Sequence, residues 1–360
     1  MDNTEELAKV RQRIDDIDEQ VQRLIEERAR CAQQVATLKG QSQDVTLYRP
    51  EREAQVLRRV MQRNQGVLPA DAMVRIFREI MSSCLALEQS LQVAFLGPEG
   101  TFTQQAALKH FGHAVLVSSQ VTIEDVFRAV ASQRCHYGVI PVENSTEGSV
   151  SQTLDLFRQS PLKICGEVVL RIHHQLLSKA PDLHQVQKIY GHQQALAQCR
   201  AWLDANAAKI EQVAVSSNAE AARRAAQESG TAAIASAAAA EIYGLSVIVS
   251  NIEDEPDNTT RFLVIGRSYP APSGHDKTSL LVVTGNQSGA LHRVLSPFAQ
   301  HNVSMTRIES RPSRRGAWDY VFFIDLEGHV QDQSVATALA ELAHEASTVK
   351  VLGAYPRAVL

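Results

Sequence analysis

Several things that this chain of 360 residues lacks narrow what it can be. It has no surplus of basic residues: Lys and Arg number 36 against 40 Asp and Glu, a net charge of −4. A general binder of nucleic acid or of anionic membranes carries a basic excess or stripe, so neither partner is expected. No run is long and apolar enough for a membrane span. The best stretch, 231–249, is mostly alanine, carries Glu241 and breaks at Gly244. The N-terminus alternates charged and apolar residues from residue 5, which predicts no signal peptide. The five cysteines (Cys31, Cys84, Cys135, Cys165 and Cys199) are scattered without a Cys-x-x-Cys spacing. That usage suits reduced thiols in the cytoplasm and argues against a disulfide framework or a structural zinc. Gly-x-Gly-x-x-Gly is missing, which removes a dinucleotide reading, and no internal repeat is present.

What is there has three different periods. From residue 5 to 39, Leu7, Val10, Ile14, Ile17, Val21, Leu24, Arg28, Cys31, Val35 and Leu38 recur every three or four residues without a slip. This heptad seam predicts one helix of roughly 50 Å, too long to bury its seam on a small domain, so a second chain is expected to complete it. Two shorter helices follow, Pro50 to Asn64 and Asp71 to Leu91. After Leu91 short apolar runs alternate with helical stretches: Val93–Leu96, Tyr137–Val142, Glu167–Ile172, Lys188–Tyr190, Gln212–Val215, Ala232–Ala235 and Phe262–Ile265. That alternation predicts an α/β domain with largely parallel sheets. Gly266 to Lys277, with Pro270, Pro272 and Gly274, reads as a linker. The remainder spells strand (Ser279–Thr284), helix (Ser288–His301), strand (Val303–Ser310), strand (Trp318–Leu326), helix (Gln333–Ala346) and strand (Val349–Ala354), the ferredoxin-like order.

The residues that carry chemistry lie where these periods break. Arg28 occupies a seam position that favours Leu or Ile, and a charge there needs a partner. The pattern leaves open a structural ion pair, an arginine reaching out to solvent, or a pocket for a small dicarboxylate. Gly97-Pro-Glu-Gly-Thr-Phe-Thr103 joins a strand to a helix and can offer N–H groups to an anion. Pro141-Val-Glu-Asn-Ser-Thr-Glu-Gly-Ser149 and Asp257-Asn-Thr-Thr-Arg-Phe262 gather amides, hydroxyls and charges at strand ends, where open α/β sheets place ligands. Each cluster is equally good turn chemistry. His173-His174 has no ligand at i+4 and is expected to be a strand-edge pair, not a metal site.

Together these motifs resemble the bifunctional chorismate mutase–prephenate dehydratase family of phenylalanine biosynthesis, over nearly the whole chain. The resemblance implies three domains. Residues 1–90 would form an all-α, dimeric mutase bundle. Residues 91–267 would form a two-lobed, periplasmic-binding-like α/β dehydratase domain. Residues 277–360 would form a ferredoxin-like α+β regulatory domain of the ACT type. Arg11, Arg28 and Lys39 match the mutase's basic substrate-binding residues, and Arg52 and Glu53 its Arg-Glu pair. Arg49, Cys84 and Glu88 stand in the same pocket, where the family often has an acid, a serine and a glutamine. Gly97-Pro-Glu-Gly-Thr-Phe102, Pro141-Val-Glu-Asn-Ser-Thr146 and Thr260-Arg-Phe262 match the dehydratase motifs, so Gly100, Thr101, Asn144, Ser145, Thr146, Thr260, Arg261 and Phe262 are its expected site. Arg261 is open between binding a carboxylate and a structural role. Gly289-Ala290-Leu291 and Glu309-Ser310-Arg311-Pro312 match the phenylalanine-binding motifs.

The resemblance also implies a chemistry that needs no cofactor and no metal. The mutase rearrangement is pericyclic. Arg28 and an Arg11 from the partner chain would clamp two carboxylates, with Lys39 and Glu88 bracketing the breaking ether oxygen. Glu88 can donate a hydrogen bond there only when protonated. Thr260 would deliver a proton to the hydroxyl leaving prephenate. The expected partners are chorismate, prephenate, the effector L-phenylalanine and a second copy of the chain. Two other readings compete: a monofunctional dehydratase whose helical segment only dimerises, and a non-catalytic amino-acid sensor.

Overall fold

The computed structural model describes residues 3–39, 48–285, 287–312 and 320–359, and of Lys39 the backbone alone. Three helices come first: α1 (Asn3–Lys39), α2 (Pro50–Arg63) and α3 (Ala70–Ala86). Pro50 opens α2, where a missing N–H costs nothing. The third helix is shorter than the sequence pattern suggests. It stops at Ala86, and Leu91 turns inward at 4% exposure to join the core of the α/β segment with Phe95 and Phe111.

In α1 the apolar seam is uncovered. Leu7, Val10, Ile14, Ile17, Val21, Leu24, Val35 and Leu38 are each 45% or more exposed. Of the half-buried residues of its C-terminal part, Ile25, Ala29, Ala32 and Ala36 lie on the neighbouring stripe and Arg28 on the seam. The helix therefore meets its own chain along one stripe and leaves the seam beside it open.

The α/β segment has two lobes. In the first, strands Lys163–Arg171, Thr259–Gly266, Tyr137–Asn144, Gln92–Leu96 and Leu116–Gln120 lie side by side in that order. The second is a five-stranded sheet in the order Ser246–Val249, Gln175–Ser178, Thr231–Ala235, Lys188–His192, Glu211–Val215. The chain crosses between lobes twice, at 172–174 and 250–258. The crossings are bonded side by side, Ile172 N–H to the Asn258 carbonyl (2.8 Å) and Ile252 N–H to that of His174 (2.9 Å). Strands Leu116–Gln120, Gln175–Ser178 and Ser246–Val249 were not expected. The first is an edge strand with a half-polar sequence, so its alternation gives no strong apolar signal.

The C-terminal segment has the ferredoxin-like order, with strands Asp276–Thr284, Met305–Pro312, Tyr320–Glu327 and Thr348–Pro356 and helices Ala290–Gln300 and Gln333–Glu345. Its first strand begins inside the expected linker, at Asp276, and the start of the strand expected from Trp318 lies outside the described residues. The sequence gives no sign of the joint between this sheet and the first lobe. Thr348–Pro356 pairs with Lys163–Arg171, making one continuous ten-stranded sheet. At the joint Gly353 faces Ile164, and a β-carbon there would collide with the Ile164 backbone.

Candidate active sites

The cleft between the lobes collects the dehydratase motifs. Thr260, Asn144 and Ser149 line it from the first lobe, His192 and Gln198 from the second, and His174 from a crossing. Its cavity volume is about 380 Å³, a size suited to a small molecule. Thr260 reaches it because it begins a central strand opposite Asn144. Asn144 is not free to hold substrate. Its Oδ1 accepts the N–H groups of Thr146 (3.0 Å) and Glu147 (3.1 Å), so its Nδ2 must donate, to Asn258 Oδ1 and Thr260 Oγ1, both at 2.8 Å. With Thr260 Oγ1 accepting from Asn144, the threonine's own hydrogen is left for the cleft.

Several expected site residues have other work. The Gly100 N–H donates to Gln104 Oε1 (2.6 Å), and its carbonyl accepts from Ser236 of the second lobe (3.0 Å). The Thr101 hydroxyl caps the helix Phe102–Phe111 and donates to the Leu96 carbonyl. The Gly100 carbonyl thus ties one lobe to the other, and Phe102, two residues on, lines the cleft. Ser145 closes a turn on Thr259, its Oγ accepting that residue's N–H (2.9 Å), and Thr146 is exposed. Phe262 shares Thr260's face but is buried in the core at 2% exposure.

Arg261 points the other way, because neighbours on a strand face opposite sides. Its guanidinium bonds Glu167 (2.8 Å), Asp325 (2.6 Å) and the Tyr355 hydroxyl (3.0 Å). Lys277 joins Glu167 (2.9 Å), and Ser279 donates to Asp325. Burial raises the Asp325 carboxyl pKa, but Arg261 and Ser279 outweigh it and the net shift is downward. This is a buried junction of two cations and two carboxylates between the α/β and C-terminal segments. The carboxylate-binding option for Arg261 is thereby corrected to a structural one, since all three nitrogens are committed.

Residues Glu309 to Pro312 divide by the same alternation. Glu309 accepts from Ser149 of the cleft rim (2.9 Å), and Arg311 pairs with Asp155 (3.4 Å). These two side chains turn to the α/β segment. Ser310 and Pro312 are exposed, as are Ile308 and, across the module, Leu291. Gly289 has φ +76°, a left-handed conformation that suits glycine, immediately before the helix that Ala290 opens.

Along α1 of a single chain the expected mutase residues are spread apart. Arg28 is half-buried on α1, and Arg11 is exposed, about 25 Å away along the axis. The Lys39 side chain lies outside the described residues. Arg49 and Arg52 are exposed, Cys84 is buried and Glu88 is half-buried. Glu53 faces elsewhere. It sits 3.8 Å from Arg78, in a cavity shared with Tyr48, His110 and the C-terminal tail around Arg357. Burial pushes its carboxyl up to about 7, against the opposing pull of Arg78.

Sequence reasoning missed His174 and Gln198 as parts of the cleft and Asn258 as the link between Asn144 and Gln198. Asn258 falls within a named cluster and His174 reads as half of a strand-edge pair, whereas it is buried in a crossing; nothing local marks Gln198. A threonine hydroxyl at an interlobe cleft, a helical segment bearing exposed arginines and a joined ferredoxin-like module point to a multidomain enzyme with a regulatory module. Family models agree in that order: chorismate mutase type II over residues 10–89, prephenate dehydratase over 93–270 and ACT domain over 278–344. The chain is 53% identical over 365 residues to a bifunctional chorismate mutase/prephenate dehydratase from Stutzerimonas stutzeri, covering 100% of both, and matches its counterpart from Pseudomonas aeruginosa with the same identity and coverage. A crystal structure of prephenate dehydratase in complex with L-Phe from Arthrobacter aurescens superposes with a TM-score of 0.69 at 33% identity, covering 75% of this chain and 93% of that one. The chain belongs to the bifunctional chorismate mutase/prephenate dehydratase family.

Proposed function

We propose that this enzyme converts chorismate to prephenate in its helical segment and prephenate to phenylpyruvate in the interlobe cleft, as a phenylalanine-inhibited step of phenylalanine biosynthesis in the cytoplasm. The observation that carries the second activity is the Asn144–Thr260 hydrogen bond, which leaves the threonine hydrogen to the cleft. In that step the ring C–O bond breaks with its electron pair going to oxygen, which takes the Thr260 proton and leaves as water. The bond to the ring carboxylate breaks, CO₂ departs, and its electron pair completes the aromatic ring. The Asn144 amide stabilises the negative charge on Thr260 Oγ until solvent restores the proton.

For the first activity, two chains pair through the α1 seam. Each exposed seam residue gains about 1 kcal/mol or more on burial, and the pairing brings Arg11 of one chain to Arg28 of the other. Arginines hold the two carboxylates bidentately, while Lys39 and Glu88 meet the ether oxygen. A millionfold acceleration needs about 8 kcal/mol, within reach of conformer selection plus preorganised charge. Phenylalanine binds the C-terminal module near Gly289, Ala290, Leu291 and Ser310. The Glu309–Ser149 bond offers a direct path from there to the cleft rim.

The test is to give purified protein chorismate and, separately, prephenate. Loss of chorismate and release of phenylpyruvate are expected, the latter inhibited by phenylalanine. A chain that consumes prephenate but never chorismate would be a monofunctional dehydratase; one that consumes neither would be a sensor.

A further inference from the structure

The two histidines at 173 and 174 differ in the fold. His173 pairs with Glu253 (2.7 Å) and is half-exposed. His174 is only 2% exposed, on the wall of the cleft that Thr260 lines, with the Phe102 ring packed against it edge to face. Its Nε2 lies 2.9 Å from Gln198 Oε1. That oxygen also accepts from Asn258 Nδ2 (3.1 Å), and an amide oxygen can only accept, so Nε2 carries the hydrogen. In the neutral ring Nδ1 is then a bare lone pair, and it is buried without a partner. A buried acceptor left unmade in a cleft is a site waiting for a donor.

One hydrogen-bond chain therefore ends in two complementary groups. It runs from Thr260 through Asn144, Asn258 and Gln198 to His174. At one end it leaves a hydroxyl hydrogen, and at the other a nitrogen lone pair. An alcohol that departs as water needs both, since its oxygen must gain one hydrogen while keeping its own. We propose that His174 Nδ1 accepts the hydrogen of the substrate's ring hydroxyl, holding that oxygen's lone pair toward the Thr260 proton. No proton passes to His174. The accepted hydrogen bond draws density onto the oxygen and makes it the better base for Thr260. The assignment rests on the dehydratase reading of the cleft and adds a substrate-contacting residue to it.

The surroundings keep His174 neutral. Burial lowers its pKa, and His173 adds to that; the Gln198 hydrogen bond and the Glu253 carboxylate, which accepts the His174 N–H (2.8 Å), oppose it; the net shift is downward. His192, itself shifted down by burial against the opposing Glu147, and Glu147 are the other titratable groups lining the cleft.

Two substitutions in the full-length chain separate this role from a structural one. H174N places an amide where Nδ1 stands and abandons Gln198, whereas H174Q reaches Gln198 and abandons Nδ1. H174Q should lose at least about tenfold in dehydratase kcat with KM little changed, and H174N should retain more than H174Q. Mutase activity, unchanged in both, reports intact folding. The wild-type kcat should decline on the acid side as Nδ1 is protonated, and that decline should vanish in H174N. Equal activity of H174Q and wild type, H174Q surpassing H174N, or an acid limb unaltered in H174N would each overturn the assignment. If either variant also loses mutase activity, ¹⁵N spectra of the wild-type chain decide. The His174 Nδ1 resonance should move on adding a non-reacting analogue that keeps the ring hydroxyl and stay still with one that lacks it; no movement with either rejects the role. Failure of the wild-type chain to make phenylpyruvate would instead reject the dehydratase reading itself.

Discussion

Along α1 the residues proposed to touch substrate stand on a helix whose apolar seam is open, and about 25 Å separates Arg11 from Arg28 on one chain. Around Thr260, by contrast, four hydrogen bonds link five side chains of one chain across both lobes. The difference follows from geometry. A straight helix spreads its functional residues along its length, so a compact site needs a second helix from elsewhere. A strand end facing a cleft gathers side chains from several strands and crossings, and one chain suffices. On the proposed reading the first site depends on assembly, and the second on two lobes of one chain.

The largest expected effect probes the self-contained site. Thr260→Ala should lower dehydratase kcat by about 10²- to 10⁴-fold and leave mutase turnover intact; assaying both on one preparation checks this. Retention of more than about a tenth of the activity, under ~1.4 kcal/mol of barrier, removes Thr260 as principal acid.

The shared site is tested by complementation. Arg11→Ala and Arg28→Ala should each reduce mutase activity about 10²-fold or more, comparable to losing a preorganised charge contact. Mixing the two inactive chains and allowing exchange should restore about a quarter of wild-type activity, because half the dimers are mixed and each holds one intact site. No recovery on mixing would mean that both arginines act within one chain.

A smaller effect concerns Glu53, which the fold gives to the interdomain cavity. Its folded pKa of about 7 lies above the model-peptide value of 4.5, so the folded state holds the proton more tightly. The resulting stabilisation is fully present below about pH 4.5 and is lost as pH rises through 7, at most about 3 kcal/mol. Glu53→Gln should flatten the fall of Tm over that window. An unchanged slope would place Glu53 outside the junction and return it to the mutase pocket.

Gly353→Ala tests whether the regulatory module communicates through the shared sheet. The new methyl group meets the Ile164 backbone and should cost about 1–3 kcal/mol, lowering Tm and weakening inhibition by phenylalanine while uninhibited turnover persists. Full inhibition in this variant would move the coupling to the Glu309–Ser149 contact alone. The mildest change is Glu88→Gln. An amide donates at any pH, so mutase activity near neutrality should rise by up to about tenfold; an unchanged pH–rate profile would exclude Glu88 as the proton-bearing group.

Much of this was legible from local pattern. The seam of α1, the ferredoxin-like order after residue 277 and the apolar run Phe262–Ile265 all follow from spacing, because periodicity reports which face of an element is buried. The roles of neighbours on a strand were not legible. Thr260, Arg261 and Phe262 read as one motif, yet the first faces the cleft, the second a charged junction and the third the core. Likewise Asn144 and Gly100 carry the chemistry of a binding site but spend it on holding Thr260 and on locking the lobes.

Sequence alone determined the type and order of most elements and the apolar seam along α1, since propensity and apolar period are properties of contiguous residues. Only the tertiary structure decided which carboxylates Arg261 would meet, that Gly353 would join two sheets into one, and which nitrogen of His174 would bear the hydrogen. Each of these depends on partners between 24 and 189 positions away. A hydrogen bond or an ion pair takes its direction from the partner's position in space, and no local pattern records that.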